Sequence, residues 1–225
     1  MERAQGIDVS AYQPSIDWKK VKEAEISFAY LKATQGISYV SKEFKKQLAG
    51  ARSVGIYPGA YHYAELNKDP IKQMDHFYAV IEGLGVAPGE LIPVIDFEDE
   101  ANASKMSNQA CADWLQAALK RGIELGGYDP TVYGGPYFLK KHLTGAKIDL
   151  GISKLWLAAY PRGQFDAQTV QIPAAPLTFP QVDMWQYAGD PKANTYASCP
   201  GVGGRCDRNV YNGTEEDLLN FVGGK

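Results

Sequence analysis

The segment Ile92-Pro93-Val94-Ile95-Asp96-Phe97-Glu98 carries two carboxylates, two positions apart, behind an apolar run. Successive side chains of an extended strand point to opposite faces, so Val94, Asp96 and Glu98 share one face and Ile95 and Phe97 the other. The two acids then rise from backbone positions about 6–7 Å apart. Carboxyls that close resist ionising together, and the less solvated one tends to keep its proton. A carboxylic acid beside a carboxylate is the pair that glycosidic bond cleavage needs. A solvated acidic loop continued by Asp99 and Glu100 is the competing reading. The apolar strand in front and further acids elsewhere outweigh it. Those acids are Asp8, between Ile7 and Val9, and Asp207, in Cys206-Asp207-Arg208-Asn209. Asp8 would be costly to bury unpaired; a turn beside Ser10 is its plainer role, as pairing with Arg208 is for Asp207.

What has to position these acids is a repeated alternation of strand and helix. Strands are expected at 6–9, 26–33, 56–63, 91–98, 131–133, 154–160, 183–187 and 207–211. Between them, Trp18, Val21 and Ala24 mark a short amphipathic helix, and Ser41 is expected to cap a helix facing inward with Phe44, Leu48 and Ala51. Asp69-Pro70 opens a helix with the stripe Met74, Phe77, Tyr78 and Ile81. The longest helix runs from about Ser107 to Leu125 with Cys111, Trp114, Leu115, Ala118 and Gly122 or Ile123 on one face. Thr214 caps a closing helix carrying Leu218, Leu219 and Val222, while 162–181 reads mostly as loop.

Such alternation points to an α/β fold with a parallel sheet, open or closed. Eight strands in 225 residues favour a single β/α barrel of the TIM type, and the scarcity of late helices makes it irregular. In such a barrel the functional groups sit at the C-terminal ends of the strands. The rim so defined holds Asp8, Lys32, Tyr61, Tyr63, Asp96, Glu98, Tyr133, Tyr160, Trp185-Gln186-Tyr187 and Asp207. Aromatic rings at a barrel mouth offer flat faces to sugar rings, and an amide offers orienting hydrogen bonds.

Composition narrows the alternatives. With 23 basic and 26 acidic side chains the net charge is −3, which leaves no basic footprint for nucleic acid. No apolar run reaches the roughly 20 residues of a membrane span, and Met1 to Gln5 do not read as a signal peptide. Three cysteines leave at least one thiol free; a disulfide between Cys199 and Cys206, across a Gly-rich loop, stays open because sequence does not fix their Cβ separation. No His lies near either thiol, which argues against zinc. No G-x-S-x-G elbow or phosphate-binding glycine loop occurs, and His62, His76 and His142 show no ligand spacing. No metal or cofactor is expected.

Seven segments in order extend the reading. Gly6-Ile7-Asp8-Val9-Ser10, Phe28 through Gly36, Gly59-Ala60-Tyr61-His62-Tyr63, Pro93 through Glu98, Leu155 through Tyr160, Met184-Trp185-Gln186-Tyr187 and Asp207-Arg208-Asn209-Val210 resemble glycoside hydrolase family 25, the lysozymes of the phage endolysin and muramidase type. The resemblance implies an irregular, flattened β/α barrel and cleavage of the β-1,4 bond between N-acetylmuramic acid and N-acetylglucosamine in peptidoglycan. It implies Glu98 as general acid, Asp96 and Asp8 flanking the reacting sugar, and Asp207 as a fourth acid. Tyr61, Tyr63, Tyr133 and Trp185 resemble sugar-holding cleft residues; Lys32 and Tyr160 join them from the rim. The expected unit is one catalytic domain over residues 1–225, with no separate wall-binding module, acting as a monomer on glycan strands of the bacterial wall. Neither membrane nor nucleic acid is an expected partner. The absent export signal suits either a phage-encoded enzyme released from the host cytoplasm or a mature secreted form. Cys199 and Cys206 depart from the family pattern. Substrate assistance and direct inverting attack by water both stay open, as do two rivals: a catalytically inactive carbohydrate-binding barrel and a metal-dependent deacetylase or hydrolase.

Overall fold

Short polar side chains set where the helices begin. In the computed structural model, which describes residues 2–85, 90–163, 165–189 and 198–221, Asp17 accepts from the Lys20 amide at the start of helix α1 (Trp18–Glu23). Asp69 accepts from Lys72 ahead of α3 (Pro70–Gly83), and Ser107 from Ala110 ahead of α5 (Asn108–Gly126). Each cap satisfies an amide that the first helical turn leaves without a partner. Thr214 and Asp217 form a reciprocal capping box at α7 (Glu215–Leu218). Ser41 does not cap: α2 (Phe44–Ser53) has no side-chain cap, and among the described residues the buried Ser41 hydroxyl has no hydrogen-bond partner. Helices α4 (Glu100–Ala103) and α6 (Pro136–Leu143) complete the set.

Eight strands close into a ring in the order β1 (Gln5–Val9), β2 (Ile26–Gln35), β4 (Tyr57–Tyr63), β5 (Leu91–Asp96), β6 (Thr131–Gly134), β7 (Leu155–Ala158), β8 (Met184–Ala188) and β9 (Asp207–Tyr211), with β9 returning to β1. A ninth, two-residue strand, β3 (Tyr39–Val40), pairs with β2 outside the ring. The barrel is mixed, not wholly parallel, because β9 runs antiparallel to both β8 and β1. That reversal has a functional consequence. Asp207 opens its strand, so in a parallel strand it would sit at the barrel floor; running backwards, it lies opposite Asp8 at the mouth.

Strand parity sorts the core into two parts. Phe28, Tyr30, Val94, Tyr133, Trp156 and Met184 belong to an inner cluster. Their neighbours Ala29, Leu31, Ile95, Val132, Leu155, Leu157 and Trp185 belong to the outer cluster, packed with residues of the helices. The inner space is filled by large rings: the Trp156 ring lies 4.9 Å from Tyr30 and 4.8 Å from Tyr133. These rings explain two glycines, since a Cβ on Gly6 would stand 2.3 Å from the Phe28 ring and one on Gly59 2.4 Å from Tyr30.

Smaller differences from expectation sit at element ends. The fourth strand stops at Asp96, two residues before Glu98, and the sixth stops at Ala158 rather than Tyr160. On α5 it is Gly122 that is buried, with Ile123 exposed. After α7 the chain tightens into a 3-10 turn, Leu219–Phe221, whose Leu219 faces solvent. Val222 lies outside the described residues. Among the described residues no helix is long and apolar enough to cross a membrane.

Candidate active site

The inward-facing side chains at the barrel mouth line a cleft of about 460 Å³. Eight residues expected from sequence meet there: Asp8, Tyr61, Asp96, Glu98, Tyr133, Tyr160, Gln186 and Asp207. They come from seven strands or the loops just beyond them, which is why no local sequence pattern could collect them.

Each acid occupies a different setting. Asp8 is buried on β1, and its Oδ2 accepts from Gln186 Nε2 at 2.8 Å and Asn209 Nδ2 at 2.9 Å. Burial raises its pKa, while the two amides and contact with Asp207 work against that rise. Asp207 shows the other side of that contact. Desolvation, the Asp8 charge and the bond to Asp8 push its carboxyl up to about 8. Asp96, at the end of β5, is buried, with no hydrogen-bond partner for Oδ1 among the described residues. Desolvation first, then Glu98 and Asp8, lift it well above the ordinary carboxylate range, with Lys32 opposing. Glu98 lies past the strand and is open to solvent at the cleft mouth. Ringed by protein atoms within the cleft, it is raised to about 7, first by desolvation and then by Asp8, again against Lys32. So crowded, the four acids cannot all ionise near neutrality. Glu98 and Asp96 repel each other, as the strand spacing indicated, and Asp8 adds to the crowding of both.

Tyr61 and Tyr133 are held as neutral phenols, first by burial and then by the surrounding carboxylates. Lys32 and Tyr63 stand beside the cleft rather than in it. Lys32 Nζ donates to Gln35 Oε1 at 2.9 Å and lies 4.7 Å from the Tyr63 ring centre. Tyr63 faces a neighbouring polar groove with Gln35, Glu65 and Asp99.

Trp185 is not brought to the cleft. It faces outward from β8, 1% exposed, with its ring 6.0 Å from Phe165 and 5.8 Å from Tyr187 and its indole N–H on the Ala159 carbonyl at 2.6 Å. The residue that points inward from that segment is Gln186, which alternation along the strand requires once Trp185 faces out. Two participants escaped the sequence reading, Trp156 in the cleft lining and Asn209 on Asp8. Parity would have found both: Asn209 is two residues from Asp207, and Trp156 lies on the inner face of its strand. Cys199 and Cys206 are buried free thiols, whose Sγ atoms donate to the Pro200 and Asp207 carbonyls. Among the described residues no group of three or more His, Cys, Asp or Glu side chains is placed to hold a metal ion.

Comparison with known proteins agrees with this arrangement. The family model for glycosyl hydrolases family 25 matches residues 7–195. Lysozyme M1 of Streptomyces globisporus is 31% identical over 220 residues, spanning 96% of this chain and 70% of the relative. An N,O-diacetylmuramidase of Arthroderma benhamiae is 28% identical, spanning 98% of this chain and 87% of its own length. The crystal structure of the bacterial lysozyme from Streptomyces coelicolor superposes with a TM-score of 0.84 at 29% identity, covering 98% of this chain and 97% of that one. Matched by the family model over most of its length, the chain belongs to glycosyl hydrolases family 25 and is a glycoside hydrolase.

Proposed function

We propose that the enzyme hydrolyses peptidoglycan at the β-1,4 bond between N-acetylmuramic acid and N-acetylglucosamine, with Glu98 as general acid. One observation carries this: four carboxyls share a single sugar-sized cleft, and the most solvent-accessible of them, Glu98, is raised to about 7. An acid with a pKa near the working pH is both protonated often enough and acidic enough to give up its proton. The relatives named lysozyme and N,O-diacetylmuramidase support peptidoglycan as the substrate.

The orphaned Asp96 Oδ1 favours substrate assistance over direct attack by water. A buried acceptor without a donor is costly, and the acetamido N–H of the muramic acid sugar is a donor of the right kind. Accepting it would favour ionised Asp96 and leave the proton on Glu98. Glu98 then protonates the glycosidic oxygen as the acetamido oxygen attacks the anomeric carbon and the bond to the leaving sugar breaks. In the second step the Glu98 carboxylate takes a proton from water, the water oxygen attacks the anomeric carbon, and the acetamido group is released. Tyr61, Tyr133 and Tyr160 would flank the sugar, and Lys32 with Tyr63 the adjoining edge.

The barrel itself is proposed as the catalytic unit, working as a monomer on the bacterial wall in an endolysin-like lytic role. Mass spectrometry of digested peptidoglycan tests the bond assignment. New reducing ends are expected on N-acetylmuramic acid; reducing ends on N-acetylglucosamine, or binding to walls without any release, would overturn it.

A further inference from the structure

We infer that Gln186 and Asn209 are positioning residues that hold Asp8 ionised within the four-carboxyl cluster, each kept with its amide N–H toward Asp8 by an aromatic donor behind it. The arrangement is a pair of two-step hydrogen-bond relays ending on one atom. Gln186 Nε2 and Asn209 Nδ2 both donate to Asp8 Oδ2, at 2.8 and 2.9 Å. Behind Asn209, the Trp156 indole N–H donates to Asn209 Oδ1 at 2.9 Å. An indole nitrogen can only donate. Asn209 must therefore give its carbonyl to Trp156 and its NH2 to Asp8, since a flipped amide would set donor against donor and acceptor against acceptor. Behind Gln186, the Tyr133 and Tyr160 hydroxyls donate to Oε1 at 2.9 and 2.5 Å. Gln186, Asn209, Trp156 and Asp8 are all buried, so water is poorly placed to replace a broken link.

Two N–H donors on one carboxyl oxygen favour its ionised form. Among the described residues Asp207 receives no such amide donor, so the proton at the Asp8–Asp207 contact is left on Asp207. The other groups around Asp8 are Asp96 and Glu98 from the β5 end, Tyr61 from β4, Tyr133 from β6, Tyr160 beyond β7 and the Cys206 thiol. All are neutral or acidic; the nearby cation, Lys32, acts on Asp96 and Glu98 instead. A fixed charge on Asp8 then raises the proton affinity of Glu98 across the cleft.

The effect on turnover rests on Glu98 being the general acid; the protonation state of Asp8 does not. In the intact protein labelled with 13C at aspartate carboxyls, with signals assigned through Asp8→Asn and Asp207→Asn, Asp8 should show a carboxylate shift near neutral pH and Asp207 a carboxylic acid shift. In Asn209→Leu and Gln186→Met, similar in size but without the N–H, the proton should pass to Asp8. The alkaline limb of kcat/KM should then move to lower pH by about half a unit or more, with kcat down at least about tenfold and KM within about twofold. A wild-type protein with Asp8 protonated and Asp207 ionised overturns the inference, as do folded variants that keep the wild-type pH profile. If the variants fail to fold, the wild-type spectrum alone decides. A wild-type enzyme that leaves peptidoglycan uncut would instead sink the Glu98 reading and leave the carboxyl assignment standing.

Discussion

The Glu98→Gln variant keeps the length of the side chain and its place in the cleft but loses the transferable proton. General-acid catalysis typically contributes about 10²–10⁴-fold, so turnover on purified walls should fall by at least about a hundredfold. The pH profile is a sharper check. With Glu98 raised to about 7, its protonated form declines about tenfold for each pH unit above that value. Wild-type kcat/KM should decline in step, and the residual activity of the Gln variant should lack that limb. The same change should stabilise the fold at alkaline pH. A carboxyl moved from 4.5 to about 7 by folding binds more protons folded than unfolded across that interval. Stability therefore falls as pH rises through the interval and stays lower above it. For a sealed group this amounts to about 3 kcal/mol; Glu98 is open to solvent at the cleft mouth, and screening leaves about 1–2 kcal/mol. Gln carries no such penalty. Urea unfolding should find the variant more stable than wild type near about pH 8 and equal to it near about pH 4. A variant that retains more than about a tenth of wild-type lysis, or that is less stable at the higher pH, would refute the reasoning.

Three other substitutions probe different parts of the site. Asp96→Asn should lower turnover at least about a hundredfold with the melting temperature preserved, because the neutral amide suits a buried, unpartnered position; loss of the circular dichroism signal would mark a structural role instead. Trp185→Ala should cost about 3–5 kcal/mol in denaturant unfolding while the folded fraction keeps wild-type KM, since the ring lies in the outer core; a raised KM with unchanged stability would return Trp185 to the cleft. Gly189→Ala would place a Cβ 2.5 Å from Asp207 Oδ1 and 3.4 Å from the Tyr160 hydroxyl. It should depress kcat at least about tenfold with little change in melting temperature, and full activity would show that Asp207 can shift without penalty.

Where the physics is local, the sequence by itself determined the answer. Parity along Val94-Ile95-Asp96-Phe97 placed the acid inward and the apolar pair against the helices, because only the Ile95 and Phe97 side of that strand is wholly apolar. Asp69, Ser107 and Thr214 announced their helices because a cap needs only three neighbouring residues. Repeated strand–helix alternation indicated a parallel sheet, and the count of eight strands in 225 residues favoured its closure into a barrel. Other features depended on contacts between distant parts of the chain. Trp185-Gln186-Tyr187 is large or hydrogen-bonding at every position, so only closure of the ring decided that Gln186 faces the cleft. The direction of β9 followed from the strands it joins, and with it the meeting of Asp207 and Asp8, 199 positions apart in the chain. Protonation was the most remote property of all. Chemically similar acids at 8, 96, 98 and 207 differ because tertiary packing gives Asp8 two amide donors, leaves Asp96 Oδ1 with none, and opens Glu98 to solvent. A carboxyl's charge is set by its surroundings in space, and those surroundings come from strands that only the closed barrel brings together.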